Sequence, residues 1–248
     1  MTKKSFVKIN KHFVNQSQCS FWKDGFISIP IENEVEKKSL IINLNELYKN
    51  YLTSNKFSIR EKYLNFEQYD FSGNIEELEF CTRFLKQTNI IEIINFITCN
   101  NLILANIRLR INRNLKDSGF WGEHRDTSIL KNNSIKGLVP PAKILIYYPN
   151  LDDAEPENQL KIWVGSHKKI FKGFFDKFIN FFSKKIIMKT NSDSMILFDG
   201  SIKHAIGNTK NLNGNLRLIF TFIDKNQIHD NIEDRNNVEK WHKYLSDN

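Results

Sequence analysis

Residues 194–208 of this chain, SMILFDGSIKHAIGN, indicate how it folds. The apolar run at their start is typical of a buried β-strand, and Asp199 with Gly200 favours a turn directly after it. A second short apolar segment follows, and it contains His204. A polar imidazole among apolar neighbours costs free energy unless it is hydrogen-bonded or bound to a metal. The stretch therefore predicts a strand, a turn and a second strand that carries His204 as a candidate ligand.

Similar short segments, rich in β-branched and aromatic residues, follow one another from Leu102 onward, between clusters of Asn, Gly, Asp and Pro. They read LILANIRLRI, AKILIYY, QLKIWV, KIIMKT and NLRLIFTFI. Residues 40–100 look helical instead, through LIINLNELYKNYL, NIEELEFCTRFLKQ and IIEIINFIT, with Asn74 as the expected N-cap of the second segment. Helices followed by many short antiparallel strands predict an α+β fold whose strands form a jelly roll or a small barrel.

The 248 residues are enough to bury one large core, and no repeat or linker divides them. We expect a single domain over 1–248, with a helix-rich part at 40–100, a strand core at about 102–224 and a C-terminal helix at about 232–246. The segment KIFKGFFDKFINFFSKK predicts an insertion helix packed outside the core, since its phenylalanines recur at helical spacing: Phe171, Phe174, Phe175, Phe178 and Phe182. The alternative for this stripe is a lipid-binding or membrane-surface face.

Charge and cysteine content narrow the class of protein. The formal net charge is +8, but the lysines are spread along the whole chain, so they do not predict a nucleic-acid interface. Three widely spaced cysteines without a CxxC motif argue against a disulfide framework or a zinc knuckle. The N-terminal MTKKSFVKINKHF does not resemble a secretory signal, and no apolar run is long enough to span a bilayer. These features predict a cytoplasmic protein and leave its oligomeric state open.

A second candidate metal-binding motif lies in GFWGEHRDTS, residues 119–128, which contains His124 and Asp126 in an HxD tripeptide. Side chains at i and i+2 share one face of a strand or strand end, so both can reach one metal. HxD alone often arises by chance. With His204 it provides two imidazoles and one carboxylate, a set that suits six-coordinate Fe(II) with positions open for a bidentate cosubstrate and dioxygen. The combination predicts an oxygenase.

Arg217 interrupts the apolar strand segment NLRLIFTFI, thirteen residues after His204. If both faces of this strand are covered, the guanidinium needs an anion. The expected partner is a carboxylate held through two parallel hydrogen bonds, such as the distal carboxylate of 2-oxoglutarate. An internal salt bridge, or a position in solvent on an edge strand, is the alternative.

FWKDGFISIP, HRD, LKIWVGSHKK, SMILFDGSIKHAIGN and LRLIFTF resemble, in this order, the signatures of the phytanoyl-CoA dioxygenase superfamily, from about Phe21 to Asp224. The resemblance implies a double-stranded β-helix of the cupin-like, jelly-roll type. It also implies that Fe(II), 2-oxoglutarate and dioxygen hydroxylate a substrate with release of succinate and carbon dioxide. His124, Asp126 and His204 match the iron ligands of the family, and Arg217 matches its 2-oxoglutarate arginine.

Three details of the motifs bear on this resemblance. The spacing from His204 to Arg217 is slightly longer than the family's, and the extra residues fit a hairpin turn in TKNLNGN. Ile206 stands where the family often has a small polar residue that contacts the cosubstrate. Asp126 is present where related halogenases have Gly or Ala, which favours hydroxylation, desaturation or ring formation over halogenation.

Further residues are candidates for the pocket. Arg108, Arg110 and Asn112 alternate on one face of a predicted strand, so they either line the cavity or face solvent. If they line it, the two arginines favour an anionic substrate, and Asn112 also fits at the cosubstrate. Trp121 either walls the pocket or packs at its rim. We expect His167 to order a loop through a hydrogen bond rather than bind the metal.

The leading hypothesis is an Fe(II)- and 2-oxoglutarate-dependent dioxygenase that hydroxylates a small polar metabolite or biosynthetic intermediate. One alternative is a metal-binding jelly-roll protein without catalysis, in a sugar-binding or regulatory role. Another is the same chemistry on a protein or nucleic acid, for which the positive charge is the only support.

Overall fold

Two antiparallel sheets and four helices make up the described part of the chain. The structure is a computed structural model, and the residues it describes are 11–54, 57–63, 66–71, 76–114, 119–126, 143–147, 159–168, 176, 178, 181–189, 193–208 and 215–224. The helices are α1 (Lys11–Asp24), α2 (Glu34–Ser54), α3 (Glu79–Gln87) and α4 (Ile90–Thr98). The strands are β1 (Phe26–Pro30), β2 (Phe57–Tyr63), β3 (Phe66–Phe71), β4 (Leu102–Asn114), β5 (Gly119–His124), β6 (Lys143–Tyr147), β7 (Gln159–Trp163), β8 (Lys185–Lys189), β9 (Ser194–Asp199), β10 (His204–Asn208) and β11 (Asn215–Asp224).

The two sheets differ in size. The larger has seven strands in the order β1-β9-β6-β11-β4-β3-β2, and the smaller has four in the order β5-β10-β7-β8. All pairings between the described strands are antiparallel. Strand β10 lies inside the smaller sheet and β11 inside the larger one. The strands that carry His204 and Arg217 are therefore interior strands.

Two hydrophobic clusters fix the positions of the sheets. One face of β11 packs into a cluster shared with the helices, through Leu216, Leu218, Phe220 and Phe222. The opposite face contributes Ile219 to a second cluster, which contains residues of both sheets: Leu160, Ile162, Ile196, Phe198, Ile202 and Ile206. The smaller sheet thus covers the face of the larger sheet that the helices leave open.

The strand predictions from Leu102 onward agree with the structure. All six predicted segments form strands, and the turn at Asp199 and Gly200 joins β9 to β10 as expected. The predicted α+β class agrees with the helices and antiparallel sheets observed here. The expected helix at 232–246 and the expected N-cap Asn74 lie outside the described residues.

The prediction of a helical stretch over 40–100 is wrong in its middle. Residues 57–63 and 66–71 form β2 and β3, and β3 pairs with β4. Within FEQYDF only Tyr69, Asp70 and Phe71 alternate at the period of a strand, and pairing with β4 satisfies the backbone groups of the segment. Helix α2 also begins before the apolar stretch, because Oδ1 of Asn33 accepts a hydrogen bond from the backbone N–H of Glu36 (3.2 Å) as an N-cap does. Helix α1 precedes it and was not predicted.

The phenylalanine stripe is only partly described. Residues 176, 178 and 181 are helical, whereas Phe171, Phe174 and Phe175 lie outside the described residues. Phe178 and Phe182 are 54% and 72% exposed. The prediction that the stripe packs on the core is therefore wrong for these two side chains. No described helix is both long enough and apolar enough to cross a membrane.

Candidate metal centre

Three side chains predicted as ligands meet where β5 ends and β10 begins. His124 is the last residue of β5, and His204, the first residue of β10, lies directly opposite it. Asp126 follows in the bend after β5. One ligand atom from each of the three residues lies within 4.8 Å of the others. Residues 80 positions apart thus form one candidate metal site, as the sequence predicts.

Backbone carbonyls orient both imidazoles. Nδ1 of His204 lies 3.1 Å from the carbonyl oxygen of Ile202, and Nδ1 of His124 lies 2.5 Å from that of Gly122. A carbonyl only accepts, so each Nδ1 carries a proton, and when a ring is neutral its Nε2 keeps the lone pair that a metal binds. The Nε2 atoms of His124 and His204 lie 3.2 Å and 3.6 Å from the carboxylate of Asp126. The atoms that could bind a metal, the two Nε2 atoms and the carboxylate oxygens of Asp126, therefore face one another.

A bulge in β5 places His124 at this point. His204 pairs with His124, but Ile206 pairs with Trp121, so β5 has one more residue than β10 between these pairs. Gly122 lies inside this interval and has φ +62°, a left-handed conformation that glycine adopts without strain. The extra residue re-aims the end of β5 toward the start of β10.

The turn between β9 and β10 is held by its own side chains. Oδ1 of Asp199 accepts hydrogen bonds from the backbone N–H of Ser201 (2.9 Å) and from its hydroxyl (2.6 Å). The N–H of Ile202 donates to the carbonyl of Asp199 (2.8 Å), and the N–H of Asp199 donates to the carbonyl of Gly25 (2.9 Å). The turn is thus closed internally and attached to the segment after α1.

This turn in turn positions the metal-binding residues. The carbonyl of Gly200 accepts a hydrogen bond from the N–H of Asp126 (2.9 Å), and that of Ile202 holds His204. The carbonyl of Ser201, between them, accepts from Nη1 of Arg125. Three consecutive carbonyls therefore contact the HxD segment or the distal histidine, and the conformation of the turn sets the geometry of the site.

Arg125, which sequence reasoning did not single out, connects the site to two other segments. Its Nη1 also donates to the carbonyl of Ser166 (2.9 Å), and its Nη2 pairs with Oδ1 of Asp176 (2.9 Å). The side chain is only 10% exposed. Its position between two candidate ligands was the one signal in the sequence that could have pointed to Arg125. Its hydrogen-bond acceptors could not be predicted, because they lie 41 to 76 residues away along the chain.

His167 has the loop-ordering position expected of it. Its Nε2 lies 3.2 Å from the carbonyl of Trp22, and its ring packs against Gly25, which has φ +89°. The N–H of Gly165 donates to the carbonyl of Asp24 (2.8 Å) in the same region. His167 thus ties the loop after β7 to the end of α1, and it is not among the residues that surround the metal site.

The pKa shifts of His204 and Asp126 favour the forms that bind a metal, whereas the shift of His124 favours its protonated form. Burial lowers the pKa of His204 to about 4, so its imidazole is neutral at pH 7. Burial raises the pKa of Asp126, but the influence of His204 and the hydrogen bond and charge of His124 outweigh it, so this pKa is lowered and the carboxylate is ionised. Burial also lowers the pKa of His124, but the Asp126 hydrogen bond and charge and the Gly122 carbonyl raise it more, and the net shift is upward.

Arg217 lies on the inner face of the larger sheet. It is fully buried, and it is two residues before Ile219, which belongs to the cluster between the sheets. Its positive charge lowers the pKa values of His124, Asp126 and His204, so it lies close enough to act on all three. The edge position in solvent, one alternative for Arg217, is wrong.

The two candidate substrate arginines share this face. Arg110 is directly opposite Arg217 in the β4–β11 pair, and Arg108 is opposite Ile219. Residues opposite each other in antiparallel strands point to the same side of the sheet. Both arginines are partly buried, so they face the space between the sheets rather than open solvent.

The other candidates are placed only by their backbones. Asn112 pairs with Asn215, and Trp121 pairs with Ile206 beside the bulge. Their side chains lie outside what the structure describes. Ile206 itself is buried in the cluster between the sheets, so its apolar side chain serves packing there.

Comparison with known proteins shows which solved structures have a similar fold. No family model and no curated protein sequence matches this chain. Among solved structures, the chain is similar to the non-heme alpha ketoglutarate dependent epimerase SnoN from nogalamycin biosynthesis, with a TM-score of 0.65 and 12% identity over 87% of this chain and 82% of SnoN. It is also similar to AviO1 from Streptomyces viridochromogenes (TM-score 0.61, 13% identity, 87% of this chain and 96% of AviO1). A third similar structure is EctD from S. alaskensis with bound Fe (TM-score 0.59, 13% identity, 86% of this chain and 78% of EctD). At these identities the similarity shows a common fold.

Proposed function

We propose that this protein is an Fe(II)- and 2-oxoglutarate-dependent oxygenase that acts on a small polar metabolite or biosynthetic intermediate. The observation that carries the proposal is the convergence of His124, Asp126 and His204 within 4.8 Å, with both Nε2 atoms directed at the carboxylate. Support from comparison is that SnoN has been crystallised with Fe3+ and alpha ketoglutarate, and EctD with 2-oxoglutarate.

The donor set fits iron chemically. Two imidazoles and one ionised carboxylate on one side of a metal leave the other coordination positions open, as non-heme Fe(II) oxygenases require. A structural zinc site is typically closed by four protein ligands, so it would need a fourth donor residue here. Within the described residues, the metal-binding group contains these three side chains alone.

When bound, Fe(II) with 2-oxoglutarate and dioxygen supplies the oxidising chemistry that breaks a substrate C–H bond and releases succinate and carbon dioxide. The protein provides position and charge. His124 and His204 present oriented lone pairs, because the carbonyls of Gly122 and Ile202 fix their rings. Asp126 contributes one negative charge, which partly neutralises a divalent cation.

Arg217 is our candidate for the residue that binds the cosubstrate. A buried guanidinium offers two parallel N–H donors to the distal carboxylate of 2-oxoglutarate, and the covered space between the sheets strengthens this attraction. Asn112 is proposed as a further cosubstrate contact. Arg108, Arg110 and Trp121 are proposed to contact the substrate, and the two arginines favour one with a negative charge.

Finer assignments follow the same reasoning. We assign the fold to the double-stranded β-helix type over a single domain, and the chain to a group resembling the phytanoyl-CoA dioxygenase superfamily. The presence of Asp126 favours hydroxylation or another outcome of hydrogen abstraction over halogenation. Similar folds in an alpha ketoglutarate dependent epimerase and carbocyclase support this range of outcomes.

Release of succinate tests the proposal. Protein reconstituted with Fe(II) is incubated with 2-oxoglutarate and oxygen, and succinate is measured beside the His124→Ala variant. We expect slow turnover without substrate in the wild type and none in the variant. Metal binding without any binding or turnover of 2-oxoglutarate would instead support the non-catalytic metal-binding alternative.

A further inference from the structure

Three phenylalanine rings stand exposed beside β8. Phe178, Phe181 and Phe182 are 54%, 69% and 72% exposed. Their rings contact one another edge to face, with centroids 5.5 Å apart for Phe178 and Phe182 and 5.2 Å apart for Phe181 and Phe182. Single exposed apolar residues are ordinary, but a contiguous exposed cluster marks an interaction site.

Lysines adjoin this cluster on the smaller sheet. The Nζ atoms of Lys161, Lys185 and Lys203 lie 5.2, 5.8 and 5.1 Å from the ring centroid of Trp163. Lys185 also lies 5.2 Å from the ring centroid of Phe181, so it joins the lysine group to the phenylalanine cluster. Trp163 (1% exposed) and Lys203 (8% exposed) are buried beneath this surface, so we define the basic aromatic face by its accessible residues: Lys161, Phe178, Phe181, Phe182 and Lys185.

This face is the outer side of the smaller sheet. In β7, Leu160 and Ile162 belong to the cluster between the sheets, so Lys161 and Trp163 point the other way. Ile187 of β8, 52% exposed, extends the apolar part of the surface. The metal site and the basic aromatic face therefore lie on opposite sides of one sheet.

We propose that the basic aromatic face docks on an anionic lipid bilayer. Lysine ammonium groups attract the phosphates of anionic headgroups, while exposed aromatic and aliphatic side chains enter the boundary between headgroups and acyl chains. Both chemistries are present side by side, through Lys185 beside Phe181, and the chain has a formal net charge of +8. This inference does not depend on the proposed oxygenase activity.

The charge of the face argues against a second copy as the occupant. In a symmetric dimer the same patch lies on both sides of the interface, so the lysines of one copy approach those of the other. Lys203 has a carboxylate partner in Glu123 (3.2 Å), but Lys185 is placed over aromatic rings beside the exposed phenylalanines. A nucleic acid is also disfavoured as the occupant. The three phenylalanine rings contact each other edge to face and form an apolar protrusion, which suits insertion into a bilayer better than stacking on nucleic-acid bases.

Vesicle co-sedimentation of the full chain tests the proposal. One set of vesicles contains phosphatidylcholine alone, and the other contains equal parts of phosphatidylcholine and phosphatidylserine. We expect binding to the anionic vesicles only, weakened about tenfold or more in the double variant Phe181→Ser, Phe182→Ser. Lys185→Glu reverses one charge, and we expect it to weaken binding about fivefold or more. The matched control is Phe96→Ser, a ring 52% exposed on α4, which should bind as the wild type does.

Circular dichroism and thermal unfolding confirm that each variant is folded. The proposal is wrong if the folded wild type does not sediment with the anionic vesicles, or if the phenylalanine double variant binds as tightly as the wild type. It is also wrong if the wild type forms dimers that the same double variant dissociates, because the occupant is then a second copy. Competition by soluble inorganic phosphate that abolishes binding at unchanged ionic strength would likewise replace the bilayer with a soluble anion.

Discussion

His124 and His204 lie directly opposite each other at the end of the β5–β10 pair, with ring centroids 4.4 Å apart and ring planes inclined by 53°. Each ring is held by a different backbone carbonyl, and Asp126 lies close to both Nε2 atoms. The backbone around the two imidazoles therefore holds all three side chains in one arrangement. This relationship underlies the first three predictions.

Replacement of a ligand should abolish metal binding while the fold is retained. We expect His204→Ala to lower the affinity for Fe(II) or Co(II) by more than about 100-fold, since loss of even an outer hydrogen-bond partner costs about 10- to 100-fold. The measurement is an anaerobic metal titration, and His167→Gln is the control, because that imidazole lies outside the triad. Equal affinities in His204→Ala and the wild type would show that the metal binds elsewhere.

Replacement of Arg217 should separate cosubstrate binding from metal binding. We expect Arg217→Met to weaken 2-oxoglutarate binding about 10- to 100-fold, which is the loss of about 1.5–3 kcal/mol typical of hydrogen bonds to charged groups. Arg217→Lys keeps the charge but loses the planar pair of donors, so its affinity should lie in between. Metal affinity should change little. Full 2-oxoglutarate affinity in folded Arg217→Met would assign the cosubstrate contact to another residue.

Arg125 is predicted to be a positioning residue for the metal site. Arg125→Ala removes the contacts with Ser166, Ser201 and Asp176 but no ligand, and we expect metal affinity to fall about 10- to 100-fold. Asp176→Asn removes only the ion pair and should have the smaller effect. The absorption spectrum of the Co(II)-loaded protein reports the geometry of the ligands. An unchanged spectrum and affinity in Arg125→Ala would limit Arg125 to a role in stability.

Gly25 and Gly165 form a matched pair for testing the close packing behind the turn. Both have positive φ, so alanine costs about 1–2 kcal/mol in the backbone at either position. A Cβ on Gly25 would also lie 2.8 Å from Cδ1 of Ile202 and closer still to the His167 ring, whereas the nearest atom to a Cβ on Gly165 is 3.7 Å away. We expect Gly25→Ala to be clearly the more destabilising in urea unfolding and to weaken metal binding. Addition of His167→Ala should recover part of the loss, and similar losses in both single variants would contradict this account.

The ion pairs of Lys37 predict a pH dependence of stability. Its Nζ lies 2.6 Å from Oδ1 of Asp193 and 2.7 Å from Oε1 of Glu34, and these hydrogen bonds, that of Asp193 first, raise its pKa above 10.5. A raised folded-state pKa gives stability that is fully present below the unfolded pKa and is lost as the pH rises through the folded value. Lys37→Met should therefore lower stability at pH 7, by about 1 kcal/mol or less because both carboxylates are exposed. The difference from the wild type should shrink only above about pH 10.5, and a difference that vanishes near neutral pH would contradict the pairing.

The sequence shows the parts of the fold that depend on short-range patterns. The strands after Leu102 either alternate apolar with polar residues or are apolar throughout, because one or both of their faces are buried. His204 and Arg217 are conspicuous in such strands because burial of a polar group costs free energy. Among the candidate ligands only His204 was indicated by a strand pattern, whereas His124 and Asp126 were indicated by the HxD motif.

Long-range contacts account for what the sequence did not show. Strands β2 and β3 lie in a stretch dominated by helices, and the pairing of β3 with β4 decides their conformation. The role of Arg125 depends on carbonyls of Ser166 and Ser201, which no local pattern places near it. The sequence could not show that Phe178 and Phe182 are exposed, because aromatic residues at helical spacing occur on buried and on exposed helix faces alike.

The most direct test of the central claim is the binding of 2-oxoglutarate to the protein under anaerobic conditions, measured by calorimetry with and without Fe(II). The geometry of His124, Asp126, His204 and Arg217 predicts one 2-oxoglutarate per chain, bound tightly only when Fe(II) is present, and no metal-dependent binding in His204→Ala. Fe(II)-loaded wild-type protein that binds no 2-oxoglutarate would contradict the account.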